Sequence, residues 1–72
     1  MIETFGEFTI ETEKVSRRET KYIVRQKDHV ICWIEQRDNK IEQRRIIPEY
    51  RNQFRNFLNQ WKLTNGNKFP FS

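Results

Sequence analysis

The chain is poor in the residues that most chemistry needs. It has one cysteine, one histidine and two serines, and no alanine at all. One cysteine excludes an intramolecular disulfide framework. Cys32 alternates within an apolar stretch, which fits a buried, inert thiol. One Cys and one His fall short of four-ligand zinc, and no nucleophile–base–orienter set can be assembled from Ser16, Ser72, Cys32 and His29. The two glycines, Gly6 and Gly66, cannot form a phosphate-cradling loop. No run of about 18 apolar residues is present, so no membrane span is expected. The expectation is a protein that is not an enzyme and that uses no cofactor or metal.

What is present is a single domain spanning 1–72. Only 35% of the residues are apolar, and 14% are aromatic. A chain this short buries roughly 60% of its unfolded surface and is marginal without further support. Residues 1–13 carry Glu3, Glu7, Glu11 and Glu13 and no base, the opposite of a signal peptide's basic lead. That favours a cytoplasmic protein.

The net charge of +4 is unevenly spread. The segments 1–13, 14–27, 28–49 and 50–72 carry −4, +5, −1 and +4. A basic block suits a polyanion, because binding releases condensed counterions. The alternative is a solvated surface balanced by acids from elsewhere in the chain.

Eight isoleucines and three valines stand against two leucines. β-Branched and aromatic residues fit a pleated surface, so sheet should dominate. The exception is Tyr50 to Leu63. There Tyr50, Phe54, Phe57, Leu58 and Trp61 fall at helical spacing and form one apolar stripe. Pro48 is tolerated in a first turn, and Asn65-Gly66 can end the helix. The residues facing the other way are amides and bases with no acid.

Ahead of the helix the pattern has period two. Strands are expected over Phe5–Thr12, Glu19–Lys27, Val30–Arg37 and Lys40–Ile47, with Gly6 marking a bulge or close approach. Glu13 to Arg18 reads as a charged loop. Asp38-Asn39 is a good two-residue hairpin loop and Asp28-His29 a weaker one. The expected fold is α+β: an antiparallel sheet of about four strands, then one C-terminal amphipathic helix on one face (ββββα). Residues 67–72 have lost helical pattern. They form a flexible tail unless their two phenylalanines fold back on the core or meet a partner.

Such a sheet is apolar on both faces. With two-residue loops, Tyr22, Val24, Ile31, Trp33 and Ile46 share one face. Ile23, Arg25, Val30, Cys32, Ile34, Ile41 and Ile47 share the other. A slip of one residue swaps the faces, so the sequence leaves open which one the helix covers. The second face calls for a partner, and a homodimer is expected.

The basic, aromatic-bearing strands point to nucleic acid, with single strands favoured over duplex. Cationic side chains track a backbone while aromatic rings stack bases. The candidate binding residues are Arg17, Arg18, Lys21, Tyr22, Arg25, Lys27, Trp33, Arg44 and Arg45, with Trp33 or Tyr22 stacking. The sheet-then-helix layout with basic strands is similar, in architecture alone, to small single-strand-binding modules such as the Pur-type fold. The rival reading is a non-enzymatic inhibitor or adaptor that occludes a partner protein, its acidic edge of Glu3, Glu7, Glu11 and Glu13 imitating a phosphate backbone.

Overall fold

A computed structural model describes residues 1–68, 70 and 71. Five strands run in sequence order through one antiparallel sheet: β1 (Ile2–Phe5), β2 (Phe8–Lys14), β3 (Glu19–Gln26), β4 (His29–Arg37) and β5 (Lys40–Ile46). A 3-10 turn, Pro48–Tyr50, leads into the helix α1 (Arg51–Asn65). The architecture is α+β with strands before the helix.

The sheet has five strands where the sequence suggests four. The expected first strand, Phe5–Thr12, is the middle of a hairpin. Gly6 takes φ +62° and reverses the chain, so that Phe5 pairs with Phe8 and Ile2 with Glu11. That value lies in the left-handed region, which costs a side-chain-bearing residue roughly 1–2 kcal/mol. The β3–β4 turn sits one residue earlier than the sequence suggests. Gln26 pairs with His29, and Lys27 supplies the positive φ of 54°. Asp38 and Asn39 both have positive φ, as a tight hairpin turn requires.

The decisive local feature is a β-bulge at Ile31. Arg25 pairs with Val30, but Val24 pairs with Cys32, leaving Ile31 without a partner. The extra residue shifts the parity of everything after it. Trp33 therefore joins Ile23, and Ile34 joins Tyr22, reversing the expected grouping. A second irregularity in the β4–β5 ladder, where Glu35 pairs with Gln43 but Gln36 with Ile41, returns Ile46 to the side of Cys32. Ile31 and Cys32 are both fully buried, so the bulge also turns two consecutive side chains inward.

One face thus carries Phe8, Ile10, Val24, Cys32 and Ile34, all buried beneath the helix and tail. Phe54, Phe57 and Trp61 form the buried stripe of α1, as their spacing suggests, with Tyr50 and Leu58 packed beside them. The helix crosses the sheet. At its start Tyr50 stacks on His29 of β4, and at its far end Trp61 meets Phe5 of β1 edge-on at 5.3 Å. Gly66, at φ +69°, stops it by donating its N–H to Lys62 O. Pro70 and Phe71 are buried, with Phe71 packed edge-on against Phe57 at 5.1 Å and Trp61 at 5.0 Å. Phe69, the other aromatic of the tail, lies outside the described residues. No helix among the described residues is long and apolar enough to cross a membrane.

Candidate nucleic-acid interface

The sheet divides the nine candidate residues among four places. Lys21, Arg25, Trp33 and Arg45 lie on the face away from the helix. Register sets them there, since Ile23 pairs with Trp33 and Trp33 with Arg45. Tyr22 and Arg44 flank Ile34 on the helix side. Arg17 and Arg18 sit in the β2–β3 loop, at the end of the sheet. Lys27 occupies the β3–β4 turn at the opposite end. The residues do not form one constellation, so the electrostatics of each place decides what it can hold.

The uncovered face has an apolar centre of half-buried Ile23, Val30 and Trp33. The Arg45 guanidinium lies 5.3 Å from the centroid of the Trp33 ring, within cation–π range. Around this centre the charges are matched. Arg25 donates to Glu11 at 2.7 Å, Lys21 lies 4.0 Å from Glu35, and Arg37 donates to Glu19 at 2.6 Å. In register, Glu11, Glu13, Glu19 and Glu35 stand with Lys21, Arg25, Arg37, Lys40 and Arg45, and Glu42 reaches in to lie 3.8 Å from Arg37, so five acids meet five bases. The face therefore has no excess of positive charge to offer a phosphate backbone.

The helix-side end of the sheet differs. Beyond the reach of α1, Lys14 pairs with Thr20, and Thr20 with Gln36. Together with Arg17, Arg18, Asp38 and Asn39 these residues line an open polar depression of about 290 Å³. Ser16 shapes the loop, because its Oγ accepts from the N–H groups of Arg18 (3.3 Å) and Glu19 (3.2 Å). The loop is also tied to the β4–β5 turn: Asp38 N–H donates to Arg18 O at 3.1 Å, and the Arg18 and Asp38 side chains lie 3.8 Å apart. Asp38 is the one acid among the lining residues. Among the described residues, Lys14, Arg17 and Arg44 stand in no ion pair.

Tyr22 lies on the same side, one row toward the helix, between Thr12 and Ile34. It is half-buried, with its ring 6.4 Å from Phe71, and burial pushes its phenol pKa up. Lys14, Thr20, Gln36 and Asn39 are absent from the residues singled out by sequence. Lys14 was within reach, since it heads the same basic block as Arg17 and Arg18. The others become visible only once strand pairing sets them beside it.

The acidic edge is dispersed by the same register. Glu3 pairs with Ile10 on the helix side, Glu11 is held by Arg25 on the other, and Glu7 in the first turn accepts from Gln26 at 2.9 Å. No group of three or more His, Cys, Asp or Glu among the described residues is placed to hold a metal.

His29 is exposed and stacked on Tyr50. Cys32 is wholly buried, and desolvation pushes its thiol up to about 12, with the Arg44 charge opposing the shift. Native protein is therefore expected to resist a thiol-directed alkylating agent at pH 8 and to react fully in denaturant, by mass spectrometry. Rapid native labelling would contradict this burial. Because the folded pKa is raised, the buried thiol's contribution to stability is full below pH 9.0, the ordinary value, and is lost as pH rises toward 12. Compared with known proteins, the chain matches no family model, and no curated protein and no solved structure is significantly similar to it.

Proposed function

We propose that this protein binds nucleic acid without catalysis, with single strands favoured, and that it grips the phosphate backbone at the helix-side end of its sheet. The observation that carries this reading is the depression lined by Lys14, Arg17 and Arg18, with Arg44 one row away and Asp38 its only acid. Cations that already face carboxylates gain little by exchanging them for phosphates. Those without partners release counterions when a phosphate arrives. Tyr22, half-buried beside this patch, offers a ring on which a base can stack, a contact worth about 1–3 kcal/mol. A stacked base must be unpaired, and this favours single strands. No observation favours the inhibitor reading, because the carboxylates it needs lie on different faces.

The test is a titration of labelled single-stranded and duplex oligonucleotides at two salt concentrations. About three or four phosphate contacts imply a log–log salt slope of roughly −2 to −3 for a single strand. Tighter binding to the single strand with that slope is the expected result. Absence of binding to either at low salt would overturn the proposal.

A further inference from the structure

The uncovered face needs an explanation of its own. Ile23, Val30 and Trp33 there line a shallow apolar depression of about 280 Å³, with Lys21 and Glu35 at its border. Ile2, on the same face, is 65% exposed. We propose that a second copy of this chain docks on this face, about a two-fold axis that runs along the strands between β3 and β4.

The argument is charge complementarity set by register. A two-fold axis in that position lays β3 over the partner's β4 and β2 over the partner's β5. Each row of the sheet then faces itself in reverse. The row Glu11–Ile23–Trp33–Arg45 sets Ile23 against the partner's Trp33 and Glu11 against the partner's Arg45. The next row sets Lys21 against the partner's Glu35, and the last sets Glu19 against the partner's Arg37. The row on the other side of the centre sets Arg25 against the partner's Val30, over which its aliphatic stem can lie. Every contact between two charged residues is then between unlike charges, and Ile23 and Trp33 meet at the centre.

The area is also adequate. The two longer dimensions of the molecule, 30 × 24 Å, bound a sheet face on the order of 700 Å². A standard-size interface buries about 800 Å² per partner. A polyanion would meet equal numbers of carboxylates and cations on this face, whereas a second copy meets their mirror pattern.

Sedimentation equilibrium at micromolar concentration, without nucleic acid, reads this directly. Wild type is expected at about twice the 9.0 kDa chain mass. Two E11R copies place a cation opposite Arg45, and two R45E copies place a carboxylate opposite Glu11. Each variant alone is expected to dissociate at least tenfold more readily. A mixed pair opposes unlike charges at both contacts, so an equimolar mixture is expected to recover the dimer. Monomeric wild type would overturn the proposal, as would dimeric single variants or a mixture that stays monomeric. Should E11R fail to fold after losing its Arg25 contact, Ile23→Glu is the second variant: a folded monomer supports the interface and a dimer overturns it. Mass is read without nucleic acid, so failure here leaves the binding proposal standing.

Discussion

Replacing Phe57 with alanine is expected to remove about 3–5 kcal/mol of stability, the usual cost of truncating a buried phenylalanine. The residue is wholly buried and sits at the junction of every layer. Its ring lies within 6.1 Å of Phe5 on β1, 5.8 Å of Phe8 on β2, 6.1 Å of Phe54 and 6.2 Å of Trp61 on α1, and 5.1 Å of Phe71 in the tail. Truncation leaves a cavity that five rigid rings cannot fill by small shifts. For a domain of this size, each kcal/mol moves the melting midpoint by about 4–8 °C. A thermal melt followed by circular dichroism should therefore show a drop of at least about 12 °C. Leu63→Ala is the control. Leu63 is 88% exposed despite lying on the same helix, and its loss should change stability by no more than about 0.5 kcal/mol. Similar midpoints for the two variants would contradict the packing described.

The second large effect is on binding. Reversing both Lys14 and Arg17 to glutamate is expected to weaken single-strand affinity roughly 100-fold at low salt. Two unit charges at contact interact by about 1 kcal/mol in water, and the double reversal changes the patch by four charges. Losing two phosphate contacts should also flatten the salt slope by about 1.4. Both side chains are exposed and stand in no ion pair among the described residues, so the fold should hold. Lys27→Glu serves for comparison, because it reverses one charge, half the change of the double variant, at the far end of the sheet. Its effect should stay below about threefold. A loss of about tenfold from Lys27→Glu, equal per unit of charge to that of the double variant, would show that net charge alone drives binding.

Much of the fold is legible in the sequence, for reasons that differ by element. The helical stripe from Tyr50 to Trp61 depends on local spacing, and its burial follows. Asp38-Asn39 names its own turn, because both residues accept positive φ. The first hairpin is hidden because Gly6 alone carries the signal, and a single glycine within an apolar run reads equally as a bulge. The sheet's faces are hidden more deeply. Ile31 is one β-branched residue among several, and nothing local marks it as the one that drops out of the ladder. Its bulge is favoured by tertiary burial, which takes both Ile31 and Cys32 into the core. That single residue moves Trp33 out and Ile34 in.

The candidate site inherits the same limit. The basic block of residues 14–27 is plain in the sequence, but adjacency along a strand alternates between faces. Lys21 and Tyr22 are neighbours in the chain and lie on opposite sides of the sheet. Only the pairing partners distinguish the matched cations from the unmatched: Glu35 for Lys21, Glu11 for Arg25, and none among the described residues for Lys14.

The division of labour between the two faces is open to one direct measurement. Amide and indole resonances can be followed by NMR as a short single-stranded oligonucleotide is added at low salt. Shifts concentrated at Lys14 to Thr20, Gln36, Asn39 and Arg44, with the Trp33 indole unmoved, are the expected result. Shifts centred on Trp33 and Ile23, with the loop of Arg17 and Arg18 silent, would place the nucleic acid on the uncovered face and contradict the assignment.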